Sequence, residues 1–132
     1  MDYKALLEKA EAARLLAYAP YSHFTVGAAL LTADGSIYTG CNIENASYSA
    51  TVCAERTALF SAIANGKREF AALAISGAPK GSAGDVCLPC GVCRQVLSEF
   101  CPADFPVIVG TSDAFTVYTL GQLLPSGFQL PD

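Results

Sequence analysis

The stretch Pro89–Cys93 has the sequence PCGVC and lies where a glycine- and proline-rich loop, residues 77–89, enters a predicted helix over residues 91–100. Two cysteines three residues apart can bind one metal ion as thiolates, and a helix N-terminus favours their charged form. A redox dithiol and half of a structural zinc knuckle share this spacing. The motif alone therefore leaves three kinds of site open.

A second cysteine motif, Cys53-Ala54-Glu55, lies at the start of a predicted helix over residues 53–64. Residues two apart in mid-helix point to nearly opposite sides, so Cys53 and Glu55 share a site only if the first helical turn faces it. Three thiolates leave one zinc position open for water, as in catalytic sites, and a carboxylate that is not a ligand can move protons. A first-turn glutamate favoured by the helix dipole is the ordinary alternative. The pairing with PCGVC favours a catalytic Glu55.

The rest of the chain alternates helical and strand patterns. An amphipathic helix over residues 3–17 ends before Pro20, and strands of a hairpin with an Asp-Gly turn follow. The predicted strands are 24–31, 36–41, 70–76, 106–110 and 115–118. This alternation predicts an α/β sandwich, one sheet with helices packed on it. We expect residues 1–132 to form a single domain.

The composition favours self-association over binding to nucleic acid or membrane. Only 15% of residues are charged and 52% are hydrophobic, so a lone chain has few charges to cover its surface, and we expect an oligomer. The net charge of −4, without a basic cluster, argues against nucleic acid. No apolar stretch approaches the roughly 20 residues that span a bilayer. Without a secretory pattern, we expect a reducing, cytoplasmic location and cysteines that bind metal or stay reduced.

Several motifs together resemble a known family. The sequence has the H-x-E…P-C-x-x-C pattern of zinc deaminases in its all-cysteine form, in which the first ligand is cysteine instead of histidine. Three further stretches stand in the family's order: GCNIENASY at 40–48, CAERTA at 53–58 and CRQV at 93–96. From Tyr21 to about Phe128 the chain resembles the small homotetrameric cytidine deaminases. The resemblance implies a three-layer α/β/α sandwich with one mixed sheet of about five strands.

The resemblance also implies a reaction. One Zn²⁺ per chain would bind Cys53, Cys90 and Cys93, and hydroxide on zinc would attack C4 of cytosine. Glu55 would be the proton shuttle between water, N3 and the leaving ammonia. The products would be uridine from cytidine, and deoxyuridine from 2′-deoxycytidine, in pyrimidine salvage.

Further roles follow from the resemblance alone. Phe24 would pack on the base, the Ala54 backbone would contact the pyrimidine, and Asn42 and Glu44 would hold the ribose hydroxyls. Tyr48 and Phe128 are similar to residues that reach a neighbouring subunit's site. Two arginines are candidates on a different ground: three thiolates make zinc a poorer Lewis acid, and Arg56 and Arg94, which directly follow Glu55 and Cys93, could withdraw charge from the sulfurs. The resemblance assigns such a role to Arg56 only. Ordinary alternatives are strand core for Phe24, turn or loop roles for Asn42 and Glu44, a tail anchor for Phe128 and a surface arginine for Arg94.

Other cysteines leave rival interpretations open. Cys87, Cys90 and Cys93, with Cys101-Pro102, imitate an iron–sulfur pattern, although the last gap is seven residues rather than three. With Cys87 as a fourth ligand, the site would instead be a closed structural zinc. Blasticidin-type deaminases share the motifs. The one histidine, His23, lacks a partner at ligand spacing, and we expect it on the surface.

Overall fold

The computed structural model describes residues 2–131 and contains five strands and four α-helices. In chain order the elements are α1 (Tyr3–Arg14), β1 (Phe24–Thr32), β2 (Ile37–Cys41), α2 (Ala54–Ala64), β3 (Phe70–Pro79), α3 (Gly91–Phe100), β4 (Pro106–Gly110), β5 (Phe115–Thr119) and α4 (Leu120–Leu123). A single 3₁₀ turn, Tyr48–Ala50, precedes α2. Within residues 2–131, no helix is both long and apolar enough to cross a membrane.

One mixed sheet organises the fold, with strand order β2-β1-β3-β4-β5. Neighbouring strands run antiparallel except β3 and β4, which are parallel and pair from Leu73↔Val107 to Ile75↔Val109. A parallel pair needs a crossover connection, and α3 lies within it. The segment between β3 and α3 therefore leads from the centre of the sheet to Cys90.

Side chains alternate across the sheet and build two cores, one on each face. On one face Ala29, Ala72 and Ala74 pack with Leu6 and Leu7 of α1. Small residues on the strands let this helix approach the sheet closely. On the other face, larger side chains such as Leu73 and Ile75 pack with α2, α3 and α4. The expected three-layer α/β/α sandwich with five strands is confirmed.

Two predicted elements end three residues away from the predicted positions, and one short helix was not predicted. The first helix ends at Arg14, not residue 17, because Arg14 turns into the core and Tyr18 pairs with Ile43. Strand β3 continues to Pro79, in a stretch predicted as loop, because β1 pairs with it as far as Phe24. The tail contains the unpredicted α4, which begins at a capping box formed by Thr119 and Gln122.

Candidate metal centre and active site

Two helix N-termini bring the three predicted metal ligands together. Cys53 is the N-cap of α2, and Cys90 is the N-cap of α3. Both have extended backbone angles, and neither side chain makes a capping hydrogen bond. Their thiols are therefore free to face Cys93, which lies in the first turn of α3 and is buried. Unpaired amides of both first turns direct positive potential at the sulfurs.

The three sulfur atoms have the spacing of a tetrahedral zinc site. The Sγ atoms of Cys53, Cys90 and Cys93 all lie within 4.8 Å of one another. Cys90 Sγ is 3.6 Å from Cys53 Sγ and 3.6 Å from Cys93 Sγ. Zinc–sulfur bonds of about 2.3 Å in a tetrahedron separate two sulfurs by about 3.8 Å. The donor set and its dimensions fit zinc with one position left for a non-protein ligand.

Arg56 is the cation that contacts this cluster. Its Nη2 lies 3.4 Å from Cys53 Sγ, and the pKa of this arginine is raised, chiefly by that contact. The pKa of Cys53 is lowered because the Cys93 thiol and the Arg56 guanidinium both hydrogen-bond to its sulfur, against the opposing effect of burial. A guanidinium against Cys53 stabilises its thiolate form.

Arg94 directly follows Cys93 in the sequence, but its recorded hydrogen bonds go to backbone carbonyls and not to the thiols. Its Nε donates to the carbonyl of Pro89 at 2.7 Å, and its Nη1 donates to the carbonyl of Leu123 at 2.7 Å. The guanidinium thus binds two backbone carbonyls, one of them directly before Cys90. Its contacts hold the loop and α4 in place.

Glu55 lies beside the cluster in the first turn of α2. Its side chain is 5% exposed, and burial raises the pKa of the carboxyl to about 7, with a smaller contribution from the charge of Cys53. Desolvation disfavours the ionised carboxylate, so this group holds or releases a proton near neutral pH. The preceding residue, Ala54, is fully buried. Such a carboxyl next to a metal cluster is suited to proton transfer.

Glu44 and Asn42 lie in the loop after β2, held by backbone groups that sequence reasoning did not identify. Glu44 Oε1 accepts from the amides of Tyr21 and Ser22 at 2.9 and 3.1 Å, and the Ser22 hydroxyl donates to Oε2. The Ser22 hydroxyl is the main cause of a lowered Glu44 pKa, so this carboxylate stays ionised. Asn42 accepts from the Val26 amide at 2.8 Å and donates to a β1 carbonyl at 2.9 Å.

A cavity of about 410 Å³ adjoins Glu44. It is lined by Tyr21, Ser22, Glu44, Tyr48 and Thr51, and the rings of Tyr21 and Tyr48 meet edge to face at 6.3 Å. Glu44 supplies the only ionised side chain among these lining residues. The cavity therefore suits a neutral, hydroxyl-rich ligand better than an anion.

The three aromatic residues expected to bind substrate have exposed side chains. Phe24 begins β1 and is partly exposed, Tyr48 is 79% exposed, and Phe128 is 66% exposed in the tail. The Phe128 carbonyl accepts from Gln95 on α3. Large exposed rings such as Tyr48 and Phe128 are available to another molecule.

The remaining cysteines and His23 are outside the cluster. Cys87 packs its sulfur against β3, where a Cβ at Gly77 would lie 2.9 Å from Sγ, and burial raises the pKa of this thiol to about 11. Cys101 is the C-cap of α3, eight residues after Cys93, which is about 12 Å along a helix. That separation excludes an iron–sulfur cluster shared by both. His23 is exposed, with a left-handed φ of 58°.

Comparison with known proteins gives consistent matches. Residues 1–109 match the cytidine and deoxycytidylate deaminase zinc-binding region. A cytidine deaminase of Sporosarcina psychrophila is 47% identical, covering 100% of this chain and 95% of the relative. The crystal structure of a cytidine deaminase from Burkholderia pseudomallei is 50% identical, with a TM-score of 0.88 over 97% of this chain and 100% of that one. A blasticidin-S deaminase of Bacillus cereus is 34% identical over 76% of this chain and 74% of its own length.

The sheet, the three-thiol cluster and these matches define a zinc-dependent deaminase, a hydrolase. Within that class, the chain belongs to the cytidine and deoxycytidylate deaminase family. Zinc is accordingly the metal that both the family and the donor set indicate.

Proposed function

We propose that this chain hydrolyses cytidine and 2′-deoxycytidine to uridine and deoxyuridine, releasing ammonia, in pyrimidine salvage. The observation that carries the proposal is a buried carboxyl, Glu55, beside a three-thiol cluster that leaves one metal position open. The relatives named cytidine deaminase, similar over the full chain, support the choice of substrate. We expect residues 1–132 to act as one deaminase domain with one zinc, in the cytoplasm.

The cysteines and Arg56 prepare the metal position. Cys53, Cys90 and Cys93 would hold zinc, which when bound supplies a Lewis acid that lowers the pKa of water for attack on C4. Three thiolates make the ion a poorer Lewis acid than neutral imidazoles would. The Arg56 contact with Cys53 offsets part of that negative charge.

Glu55 moves the protons of the reaction. Its carboxylate takes a proton from the attacking water and donates it to N3 of the ring as the C4–O bond forms. The second proton of that water then goes to the exocyclic amine, and the C4–N bond breaks with release of ammonia. A pKa near 7 lets one group both accept and donate within a turnover.

The loop after β2 would select the nucleoside. Glu44 is ionised and oriented by three donors from Tyr21 and Ser22, so it can accept from ribose hydroxyls without reorganising. Asn42, whose side chain is fixed on β1, would bind the ribose together with Glu44. Phe24 would pack on the base, and the Ala54 backbone would contact the pyrimidine. The Glu44 carboxylate would repel a 5′-phosphate, which favours a free nucleoside over a nucleotide or nucleic acid.

Oligomerisation accounts for the exposed apolar side chains. Leu15 and Leu16 at the end of α1 are 82% and 79% exposed, and Leu130 is 81% exposed. With few charges in the chain, such surface favours burial against other copies. We propose a homotetramer, with Tyr48 and Phe128 reaching a neighbouring active site.

The deciding experiment measures kcat/KM for cytidine, CMP, cytosine and blasticidin S by ultraviolet absorbance, beside zinc content. Wild-type protein should act on cytidine with one zinc per chain and use CMP poorly. Glu44→Ala should lower kcat/KM for cytidine about 30–160-fold, which corresponds to about 2–3 kcal/mol, the value of a hydrogen bond to a charged group. Any slow reaction with cytosine, which has no sugar, should be unaffected.

Glu69→Ala is the matched control, because Glu69 is an exposed carboxylate that lies outside the site. It should leave all four rates unchanged. Equal use of CMP and cytidine, or full cytidine activity in Glu44→Ala, would show that the sugar pocket is misassigned. A preference for blasticidin S over cytidine would indicate that this chain is a blasticidin-type deaminase instead.

A further inference from the structure

Arg14 is a buried cation without a carboxylate partner. Its side chain lies at the end of α1 and is only 6% exposed. Across the part of the chain that the structure describes, the ion pair present is Lys67–Asp34, and Arg14 takes no part in it. Buried charges are costly unless they are paired or hydrogen-bonded. The fold must therefore satisfy this guanidinium with neutral acceptors.

Neutral oxygens from three segments surround the guanidinium. Nε donates to the hydroxyl of Thr25 in β1 at 2.9 Å. Nη2 donates to the carbonyl of Pro79, the last residue of β3, at 3.4 Å, and also to the carbonyl of Ser82. A Cβ at Gly84 would lie 3.5 Å from Nη1 and 2.2 Å from Ser76 Oγ, so the chain passes closely over the arginine. One side chain thus joins α1 and β1 to the beginning of the β3–α3 connection, residues 80–90.

Further contacts hold the backbone of the connection in place between Ser82 and the metal ligands. The Asp85 amide donates to the Gly77 carbonyl at 3.0 Å, and the Cys87 side chain packs on Gly77. At the far end, Arg94 holds the Pro89 carbonyl. Fixed points therefore occur every few residues from Ser82 to Pro89, and Cys90 follows directly.

We propose that Arg14 is a positioning residue for the metal centre. By fixing the start of the β3–α3 connection against α1 and β1, it determines where Cys90 and Cys93 meet Cys53, without touching a sulfur itself. The planar guanidinium suits this role because it donates in several fixed directions at once, which an ammonium group does not. The inference rests on the zinc site and not on the proposed substrate.

The test measures zinc affinity of the folded protein by competition with a chromogenic chelator, and the absorption spectrum of the cobalt-substituted protein. Arg14→Gln should bind zinc more weakly, by at most the about 10–100-fold that follows loss of a group hydrogen-bonded directly to a metal ligand. Its cobalt spectrum should shift as the thiolates lose their fixed geometry. Arg14→Lys, which keeps the charge with a single donor group, should recover part of the affinity.

Ile108→Ala is the matched control for lost stability. Ile108 is buried in β4 on the same face of the sheet as α1, in a cluster whose members all lie outside residues 80–90. Its truncation to alanine costs about 2–5 kcal/mol. It should bind zinc as wild type does.

Thr25→Val is a second test variant, because it removes the acceptor of Arg14 Nε at nearly constant volume. It should weaken zinc binding less than Arg14→Gln does, and it replaces Arg14→Gln in the test if that variant does not fold. The proposal is overturned if Arg14→Gln and Thr25→Val both bind zinc as tightly as wild type. If Arg14→Gln does not fold, wild-type zinc affinity in Thr25→Val alone overturns it. An equal loss of affinity in Ile108→Ala also overturns it.

Discussion

Gly40→Ala should impair catalysis as well as stability, because Gly40 lies where β2 touches the helix that carries Cys53 and Glu55. A Cβ at this position would lie 2.4 Å from the Ala58 nitrogen and 2.6 Å from the Ala54 carbonyl oxygen, both backbone atoms of α2. Ordinary contacts begin at 3.4 Å, so the helix must shift by about 1 Å to accept the methyl group.

The expected magnitudes follow from that shift. Overpacking of this kind costs about 1–3 kcal/mol of folding free energy. Displacing a catalytic group by about 1 Å lowers the rate by about 100-fold. Gly40→Ala should therefore remain folded, with kcat/KM for cytidine reduced by about two orders of magnitude at a temperature well below its melting transition.

Two further variants test the reasoning. Leu6→Ala, in α1 on the opposite face, should cost about 2–5 kcal/mol but keep kcat/KM near wild type. Thr57→Ala should not rescue Gly40→Ala, because removing Thr57 Oγ1, 2.3 Å from the added Cβ, leaves the backbone contacts in place. Full activity of folded Gly40→Ala, or its rescue by Thr57→Ala, would refute the reasoning.

Other predictions concern the site and the assembly. Glu55→Gln should retain zinc and fold, as shown by metal analysis and circular dichroism, yet lose nearly all turnover because an amide cannot shuttle protons; substantial turnover would remove Glu55 from the mechanism. Cys87→Ser should keep one zinc per chain, since Cys87 is outside the three-thiol cluster; loss of zinc would indicate a four-cysteine site. Sedimentation at assay concentration should show an active homotetramer, and an active monomer would contradict the proposed assembly.

Much of the fold was predictable from local sequence patterns. Helix α3 and strand β4 have the predicted bounds, since a cysteine N-cap and Pro102 limit one and Pro106 and Gly110 limit the other. Boundaries failed where tertiary contacts decided them. The β3 strand runs into glycine- and proline-containing sequence because its antiparallel partner β1 begins at Phe24.

The candidate site was predictable in its residues but not in its contacts. Cysteine spacing and family motifs identified Cys53, Cys90 and Cys93, which the structure brings together. Adjacency in sequence could not distinguish Arg56, which contacts a thiol, from Arg94, which binds carbonyls. The donors to Glu44 lie more than twenty residues earlier in the chain, and only the folded backbone shows that they meet.

The order of the ligands along the chain has a consequence for refolding. Cys53 precedes β3, whereas Cys90 and Cys93 follow it, and β3 occupies the middle of the sheet between β1 and β4. Pairing of distant and parallel strands is slow because loop closure must come first. Early in refolding, a metal ion meets only the Cys90–Cys93 pair. Binding by all three thiols requires the long-range contacts that bring Cys53 beside Cys90 and Cys93, so we expect metal uptake by the complete site to report when these contacts form during refolding.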